Sequence, residues 1–178
     1  MVSRQNIRRM AIKLGGRLIP EDVIIPDIKR NKQIVFGRRA MNAQLPGFLN
    51  APTTDFDVYV NTPKRVAFRM QGRLDNALAK GRDEFYALPA LHPQTWRVMN
   101  VGSDKKKGTK DDFSVVDYSP KPKKVCAVGI KGIKYQCLKT IIEGKERTLR
   151  DPMSAFRHEK DRRDLARIMA SKSFGRLI

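Results

Sequence analysis

Cysteine and aromatic residues are both scarce in this chain of 178 residues. The two cysteines, Cys126 and Cys137, lie eleven positions apart and have no His or Cys partner at zinc-ligand spacing. The spacing excludes a structural zinc site and a disulfide framework as organising principles, and it predicts two buried thiols. Aromatic residues make up 7% of the chain, too few to favour a base-stacking sheet of the kind found in RNA-recognition modules.

Long apolar runs are missing as well. No stretch approaches the roughly 18 apolar residues that a transmembrane helix needs. Residues 1–9 are basic but have no apolar segment behind them, so a secretory signal is not predicted. We therefore expect an intracellular protein, in the cytoplasm or nucleus or inside a virion, with no membrane partner.

Acidic residues are few compared with basic ones. The chain has 18 Asp and Glu against 37 Lys and Arg, which gives a net charge of +19. Residues 121–178 alone carry sixteen basic and six acidic side chains, more than half of this excess. Such an imbalance favours binding to phosphate backbones, with an affinity that falls steeply with salt. Nucleic acid is therefore the predicted partner, and a solvated basic surface is the alternative.

The order of predicted elements indicates an α+β fold, a small mixed β-sheet flanked by helices, with helices at the C-terminus. Hydrophobic residues make up 40% of the chain, enough for one packed core. We expect a basic N-terminal extension over residues 1–32, a core over 33–150, and a C-terminal helix and tail over 151–178.

Alternating apolar residues predict a strand over 55–61, and a hairpin is predicted from strands over 95–101 and 113–118. Thr62 and Pro63 resemble a helix start, with the helix running to about Ala79. Helices are also predicted over 138–148 and 154–169, with a short basic helix over 3–14. Val125–Ile130 and Ile133–Tyr135 have the pattern of short extended segments.

The pattern that bears most on chemistry is Asp55-Phe56-Asp57. Side chains two apart in a strand point to the same face, so the two carboxylates lie on one side and Phe56 on the other. Paired carboxylates of this kind can share divalent cations. A later strand supplies Asp117, and the alternation predicts that it reaches the pair from a neighbouring strand.

The motif context resembles the nucleotidyltransferase superfamily built on the palm of DNA polymerase β. An apolar strand ends at Gly37, a helix follows with Ala-Met-Asn at 40–42, and the Asp-x-Asp strand begins 18 residues after the glycine. Lys-Asp-Arg-Arg-Asp-Leu at 160–165 resembles the helix that closes many of these chains. Within the superfamily, the minimal and abortive-infection-type nucleotidyltransferases are the most similar, and the resemblance covers residues 33–170.

The resemblance implies a two-metal site in which Asp55, Asp57 and Asp117 are the catalytic and metal-binding residues. Mg²⁺ or Mn²⁺ is the implied cofactor and a nucleoside triphosphate (NTP) the implied substrate. The resemblance also implies four nucleotide-binding residues, namely Gly37, Arg38, Arg39 and Lys160.

One residue departs from the family pattern. Arg38 stands where the family has a small residue that lets the backbone approach the nucleotide phosphates. The guanidinium either blocks this approach or supplies charge to the triphosphate directly. Lys160 and Asp164, at i and i+4, are predicted to form a surface ion pair rather than a catalytic pair.

Three functions are consistent with these features. The first is transfer of a nucleotidyl group from an NTP to a nucleic acid, a protein or a small acceptor, and the basic charge favours a polyanion over a cationic acceptor. The second is a catalytically silent protein of the same fold that serves as a basic nucleic-acid-binding or structural component, for example in a virion. The third is a transferase-type toxin that a protein partner keeps in check.

Overall fold

The structure is a computed structural model that describes residues 18–174. The predicted helix over 3–14 lies outside this part of the chain. The α-helices are α1 (Pro20–Arg30), α2 (Gly37–Asn42), α3 (Pro63–Leu78), α4 (Leu138–Arg150) and α5 (Ala155–Phe174). The strands are β1 (Ile34–Phe36), β2 (Phe56–Val60), β3 (Phe85–Pro89), β4 (Trp96–Asn100), β5 (Phe113–Pro120), β6 (Ala127–Ile130) and β7 (Ile133–Gln136). Short 3₁₀ turns lie at Gly47–Leu49 and Pro152–Ser154.

The strands form one mixed seven-stranded sheet in the order β3-β4-β5-β2-β1-β7-β6. The pairs β2–β5 and β1–β7 are parallel, and the other neighbours are antiparallel. This architecture confirms the predicted α+β class, the β4–β5 hairpin and the C-terminal helices. Strand β3 was not predicted. It lies at the edge of the sheet, where its terminal Pro89 breaks no ladder between central strands.

The main core lies between the sheet and helices α1 and α3. Val66, Met70 and Leu74 recur every four residues, so they form one buried face of α3. They pack against side chains of β2 such as Val58, in a cluster that also includes Ile28 of α1. Full burial of such a side chain contributes about 1.5–3 kcal/mol. Residues 20–30 of the predicted extension therefore contribute to the core.

A second, smaller cluster lies among helices α2, α4 and α5. Ala40 and Met41 of α2 are fully buried here, together with Ile141 of α4 and Ile168 of α5. The C-terminal helices are thus attached to the helix that follows β1. None of the helices in residues 18–174 has the length and apolar character that a bilayer crossing requires.

The two cysteines form a disulfide, so the prediction of buried free thiols was wrong. The β6–β7 hairpin pairs Ala127 with Gln136, and the same register continues to Cys126 and Cys137 just beyond it. The N–H of Cys137 donates to the carbonyl of Cys126 at 3.0 Å, and their Cα atoms are 5.4 Å apart. Spacing along the sequence concealed this contact because the hairpin fold is what brings the two residues together.

We expect the disulfide to stabilise the fold. Closing a loop of this length reduces the entropy of the unfolded chain, and the stabilisation is about 2–3 kcal/mol. The double variant Cys126→Ser/Cys137→Ser should lower the free energy of unfolding by this amount in urea titrations without reductant. With reductant, wild type and variant should have the same stability. An equal stability in both conditions would contradict the prediction.

Candidate active site

Asp57 and Asp117 are direct neighbours on adjacent parallel strands. Strand β2 pairs with β5 in a register that places Asp57 opposite Asp117. Cα atoms of paired strands are about 4.8 Å apart, and paired residues project to the same face. Asp55 lies two residues before Asp57 and projects to this face as well. The predicted carboxylates thus converge on one side of the sheet centre.

The local sequence produces this arrangement by alternation. Phe56, Val58 and Val60 are buried in the main core, which leaves the residues between them on the opposite face. In β5 the flanking residues Val116 and Tyr118 are fully buried, so the residue between them faces the carboxylate side. The same apolar residues that build the core therefore place the acidic side chains.

Gly37 lies directly against Asp57. Strand β1 ends at Phe36, which pairs with Asp57, and Gly37 turns the chain into α2 with a φ of +66°. A Cβ atom added at Gly37 would lie 2.2 Å from Oδ2 of Asp57. Glycine is required here both for its backbone angle and for the close approach of the carboxylate.

Asp117 and Asp55 have hydrogen-bonding partners of their own. Oδ1 of Asp117 accepts a hydrogen bond from Ser114 at 2.6 Å, and Oδ2 accepts one from Arg97 at 3.2 Å. Oδ1 of Asp55 accepts one from Thr53 at 3.1 Å. Arg97 was not identified from the sequence. The hairpin register pairs it with Asp117, and only that register shows that it belongs to the site.

The pKa of Asp57 is raised to about 7. Burial is the largest cause, followed by the negative charges of Asp55 and Asp117. Lys160 and Arg157 of α5 act in the opposite direction, which places two cations of the C-terminal helix within electrostatic range of the carboxylates.

The two arginines after Gly37 contact the protein itself. Nε of Arg39 donates to the carbonyl of Asp55 at 2.7 Å, and its guanidinium lies 3.6 Å from the ring centroid of Phe56. Arg38 donates to the carbonyl of Pro52 at 3.1 Å. Arg39 therefore holds the first residues of β2 in place through the backbone of Asp55 and the ring of Phe56. A direct role for either arginine in nucleotide binding stays a prediction.

Asp164 is buried and does not form the predicted surface pair with Lys160. Its carboxylate contacts Lys145 at 2.6 Å and Arg38 at 3.7 Å, and it pairs with Arg167. The prediction failed because the i, i+4 spacing describes an isolated helix, whereas α4 and α2 pack against this face of α5.

The β4–β5 loop holds a tighter group of carboxylates. Among the described residues, Asp104, Asp111 and Asp112 bring oxygens within 4.8 Å of one another, whereas the three carboxylates at the sheet centre do not come that close together. Asp111 accepts hydrogen bonds from the hydroxyl of Thr109, the N–H of Asp104 and the hydroxyl of Ser103, and these bonds lower its pKa. These oxygens thus hold the loop in shape.

The sequence matches no protein-family model and no curated protein. Among solved structures, the polyadenylate synthase of Megavirus superposes with a TM-score of 0.69 at 16% identity, over 96% of this chain and 32% of that one. This chain thus spans about one third of the Megavirus protein. JHP933 from Helicobacter pylori aligns over 70% of this chain and 53% of its own, at 18% identity and a TM-score of 0.42. The first of these matches shows a nucleotidyltransferase-like fold.

Replacing Gly37 with alanine should destabilise the protein by about 1–3 kcal/mol, the cost of a positive φ in a residue with a side chain. The added Cβ should also displace the Asp57 carboxylate. Urea titration gives the stability. Gly144→Ala is the matched control, because Gly144 lies inside α4 with open space around it. This variant should be about 0.5–1 kcal/mol more stable than wild type. Equal effects at the two positions would contradict the close approach at Gly37.

The raised pKa of Asp57 predicts a stability that falls with rising pH. The folded protein holds the proton up to about pH 7, whereas the unfolded chain releases it near pH 3.8. Between these values the folded state binds more protons, so the free energy of unfolding decreases as pH rises, by up to about 4 kcal/mol.

The Asp57→Asn variant should lack this decrease. Urea titrations from pH 4 to pH 7 should therefore show wild type losing stability relative to the variant. Asp83→Asn is the control, because the side chain of Asp83 is 63% exposed and should not alter the pH profile. Parallel profiles for wild type and Asp57→Asn would contradict the electrostatic account of Asp57.

Proposed function

We propose that this protein is a metal-dependent nucleotidyltransferase. The observation that carries the proposal is the in-register pairing of Asp57 with Asp117, with Asp55 on the same face and Gly37 against Asp57. Acidic side chains on adjacent central strands, beside a glycine turn that opens a helix, are what transfer from a triphosphate requires.

The donor set suits a divalent cation. Asp57 makes no ion pair among the described residues, and the repulsion from Asp55 and Asp117 contributes to its raised pKa. Carboxylate oxygens are the ligands that Mg²⁺ and Mn²⁺ prefer, so Asp55, Asp57 and Asp117 are the residues that would hold the ion. When bound, the metal neutralises charge on the triphosphate and lowers the pKa of the attacking hydroxyl.

The protein's own residues would position the reactants and receive a proton. In the proposed reaction the acceptor hydroxyl oxygen bonds to the α-phosphorus of the NTP, and the bond from that phosphorus to the leaving pyrophosphate breaks. The hydroxyl proton passes to the carboxylate of Asp117, which Ser114 orients through its hydrogen bond. Lys160 and Arg157, in electrostatic range of Asp57, supply positive charge near the triphosphate.

Nucleic acid is the acceptor class that the charge favours. A net charge of +19 attracts a polyanion and repels a cationic small molecule. The Megavirus neighbour is by name a polyadenylate synthase, a protein that makes a nucleic acid, which supports this acceptor and a viral or virion setting.

The ion pair between Arg97 and Asp117 favours a second function. Arg97 occupies the carboxylate that the reaction needs for metal binding and proton transfer. A protein in which this pair is permanent would keep the fold without turnover and act as a nucleic-acid-binding or structural component. In this case, the Asp cluster would be a remnant that the sheet holds in place.

Metal-dependent labelling distinguishes the two functions. Wild type with Mg²⁺ or Mn²⁺ and radiolabelled ribonucleoside triphosphates should transfer label to an RNA or DNA oligonucleotide. Asp57→Asn should reduce the rate about 100-fold or more, because the amide keeps the shape but lacks the charge. Asp83→Asn, at an exposed aspartate in the loop before β3, should retain the wild-type rate.

Thermal unfolding supplies a readout that does not depend on the acceptor. Mg²⁺ should raise the Tm of wild type and leave that of Asp57→Asn unchanged. A protein that shows neither transfer nor a metal-dependent shift in Tm would support the silent function instead.

A further inference from the structure

A cavity of about 590 Å³ opens between the start of α3 and the start of β4. Its walls include Lys64, Arg65 and Phe68 of α3, and Trp96 of β4. Trp96 is the single tryptophan of the chain. Trp96 pairs with Tyr118 and packs against the core on the face that α3 covers, so this cavity is separate from the carboxylate cluster on the opposite face.

The wall of this cavity is aromatic. Phe68 is 48% exposed, and its ring centroid lies 5.5 Å from that of Trp96, with the planes tilted by 47°. Nζ of Lys64 lies 5.2 Å from the Trp96 ring centroid. An aromatic pair with one half-exposed ring, Phe68, and a cation beside it is suited to a flat, anionic ligand, because the exposed ring can stack with a base while the cation contacts a phosphate.

A second cavity, of about 850 Å³, lies beside the β5–β6 connector. Four lysines line it, namely Lys121, Lys123, Lys124 and Lys134. None of them forms an ion pair with a described residue, and the first three are close in sequence. Their mutual repulsion is relieved when a polyanion lies along the groove.

Backbone contacts connect the walls of the two cavities at the edge of the sheet where β2 and β5 end. The N–H of Lys121 donates to the carbonyl of Val60 at 3.0 Å, three residues before α3 begins at Pro63. Trp96 pairs with Tyr118, three residues before Lys121. The ends of β2 and β5 thus join the aromatic cavity to the lysine groove.

We propose that this edge binds a single-stranded nucleic acid. At least one base stacks on Phe68 and Trp96, with Lys64 and Arg65 at the adjoining phosphates. The strand then follows Lys121, Lys123 and Lys124. A duplex fits less well, because its bases are stacked on one another and hidden from the two rings.

The inference deepens the proposed function, since it rests on a nucleic-acid acceptor and names the surface that holds it. Val60 and Pro120 end their strands three residues after Asp57 and Asp117. This separation is about 10 Å along the strands. Trp96 and Tyr118 lie on the core face and the carboxylates on the other, so a strand held at this edge reaches Asp57 and Asp117 by passing around the ends of β2 and β5.

Fluorescence of Trp96 tests the binding without metal or triphosphate. A single-stranded oligonucleotide of about 12 residues should quench the emission. The same sequence as a duplex should bind more weakly, and poly-glutamate should leave the emission unchanged, since it has charge but no bases. Equal quenching by poly-glutamate would overturn the proposal in favour of an acidic protein partner. Tighter binding of the duplex would also overturn it.

Substitution of the exposed ring tests the stacking. Phe68→Leu keeps an apolar side chain but removes the aromatic face, and we expect an affinity about tenfold lower. Phe113→Leu is the matched control, because Phe113 is 46% exposed and lies at the opposite end of β5. It should bind as wild type does. Equal affinities for the two variants, with Tm values near that of wild type, would overturn the stacking.

Salt dependence tests the lysine groove. Lys123→Gln/Lys124→Gln should reduce the slope of log affinity against log salt concentration by about 1.4, since each phosphate contact on a single strand contributes about 0.7. Lys106→Gln/Lys110→Gln is the control, at two exposed lysines of the β4–β5 loop, and should leave the slope unchanged. Equal slopes for both double variants would overturn the assignment of this groove.

These measurements separate the proposed edge from the proposed reaction. Quenching of Trp96 by a protein that transfers no label would retain the binding edge and reject the nucleotidyltransferase. Label transfer without quenching would retain the reaction and reject the edge.

Discussion

The parallel pairing of β2 with β5 is the constraint on which the core and the candidate site both depend. Its register places Asp57 beside Asp117 on one face and Val58 beside Tyr118 on the other. Because side chains alternate along a strand, a slip of one residue would bury the carboxylates and expose the core. The apolar residues that bind α3 therefore also determine where the acidic groups lie, and the stability of the core preserves the geometry of the site.

The carboxylates inside this protein differ in how many cationic side chains they pair with. Asp27 of α1 pairs with three arginines, and Asp164 of α5 pairs with Lys145 and two arginines. Burying a carboxylate without such partners is costly. Asp57, in contrast, forms no ion pair with a described residue, and its pKa is raised by burial first and by the charges of Asp55 and Asp117 second. The fold supplies cations at Asp27 and Asp164, and none of the described residues forms an ion pair with Asp57. The uncompensated charge is therefore the feature that most favours a ligand at this site.

Elements with strong local patterns could be predicted from the sequence. Alternation gave β2 and the β4–β5 hairpin, and Thr62 with Pro63 gave the start of α3. The disulfide, the contact of Arg97 with Asp117 and the burial of Asp164 could not be predicted in this way. Each depends on which strands or helices become neighbours, and spacing along one element does not contain that information. The candidate carboxylates were found because two of them are two residues apart in one strand.

An ion pair connects the first and last segments of the sequence motif, the turn at Gly37 and the helix that contains residues 160–165. Arg38 follows the glycine turn, and Asp164 belongs to the Lys-Asp-Arg-Arg-Asp-Leu segment, yet their side chains approach to 3.7 Å. Arg38 also donates to the carbonyl of Pro52, in the loop that leads into β2. Its guanidinium thus ties α2 to α5 and to the approach of the Asp-x-Asp strand. The side chain of Arg38 therefore contacts α5 and the loop before β2, two segments that flank the site. The close approach to Asp57 is made by Gly37.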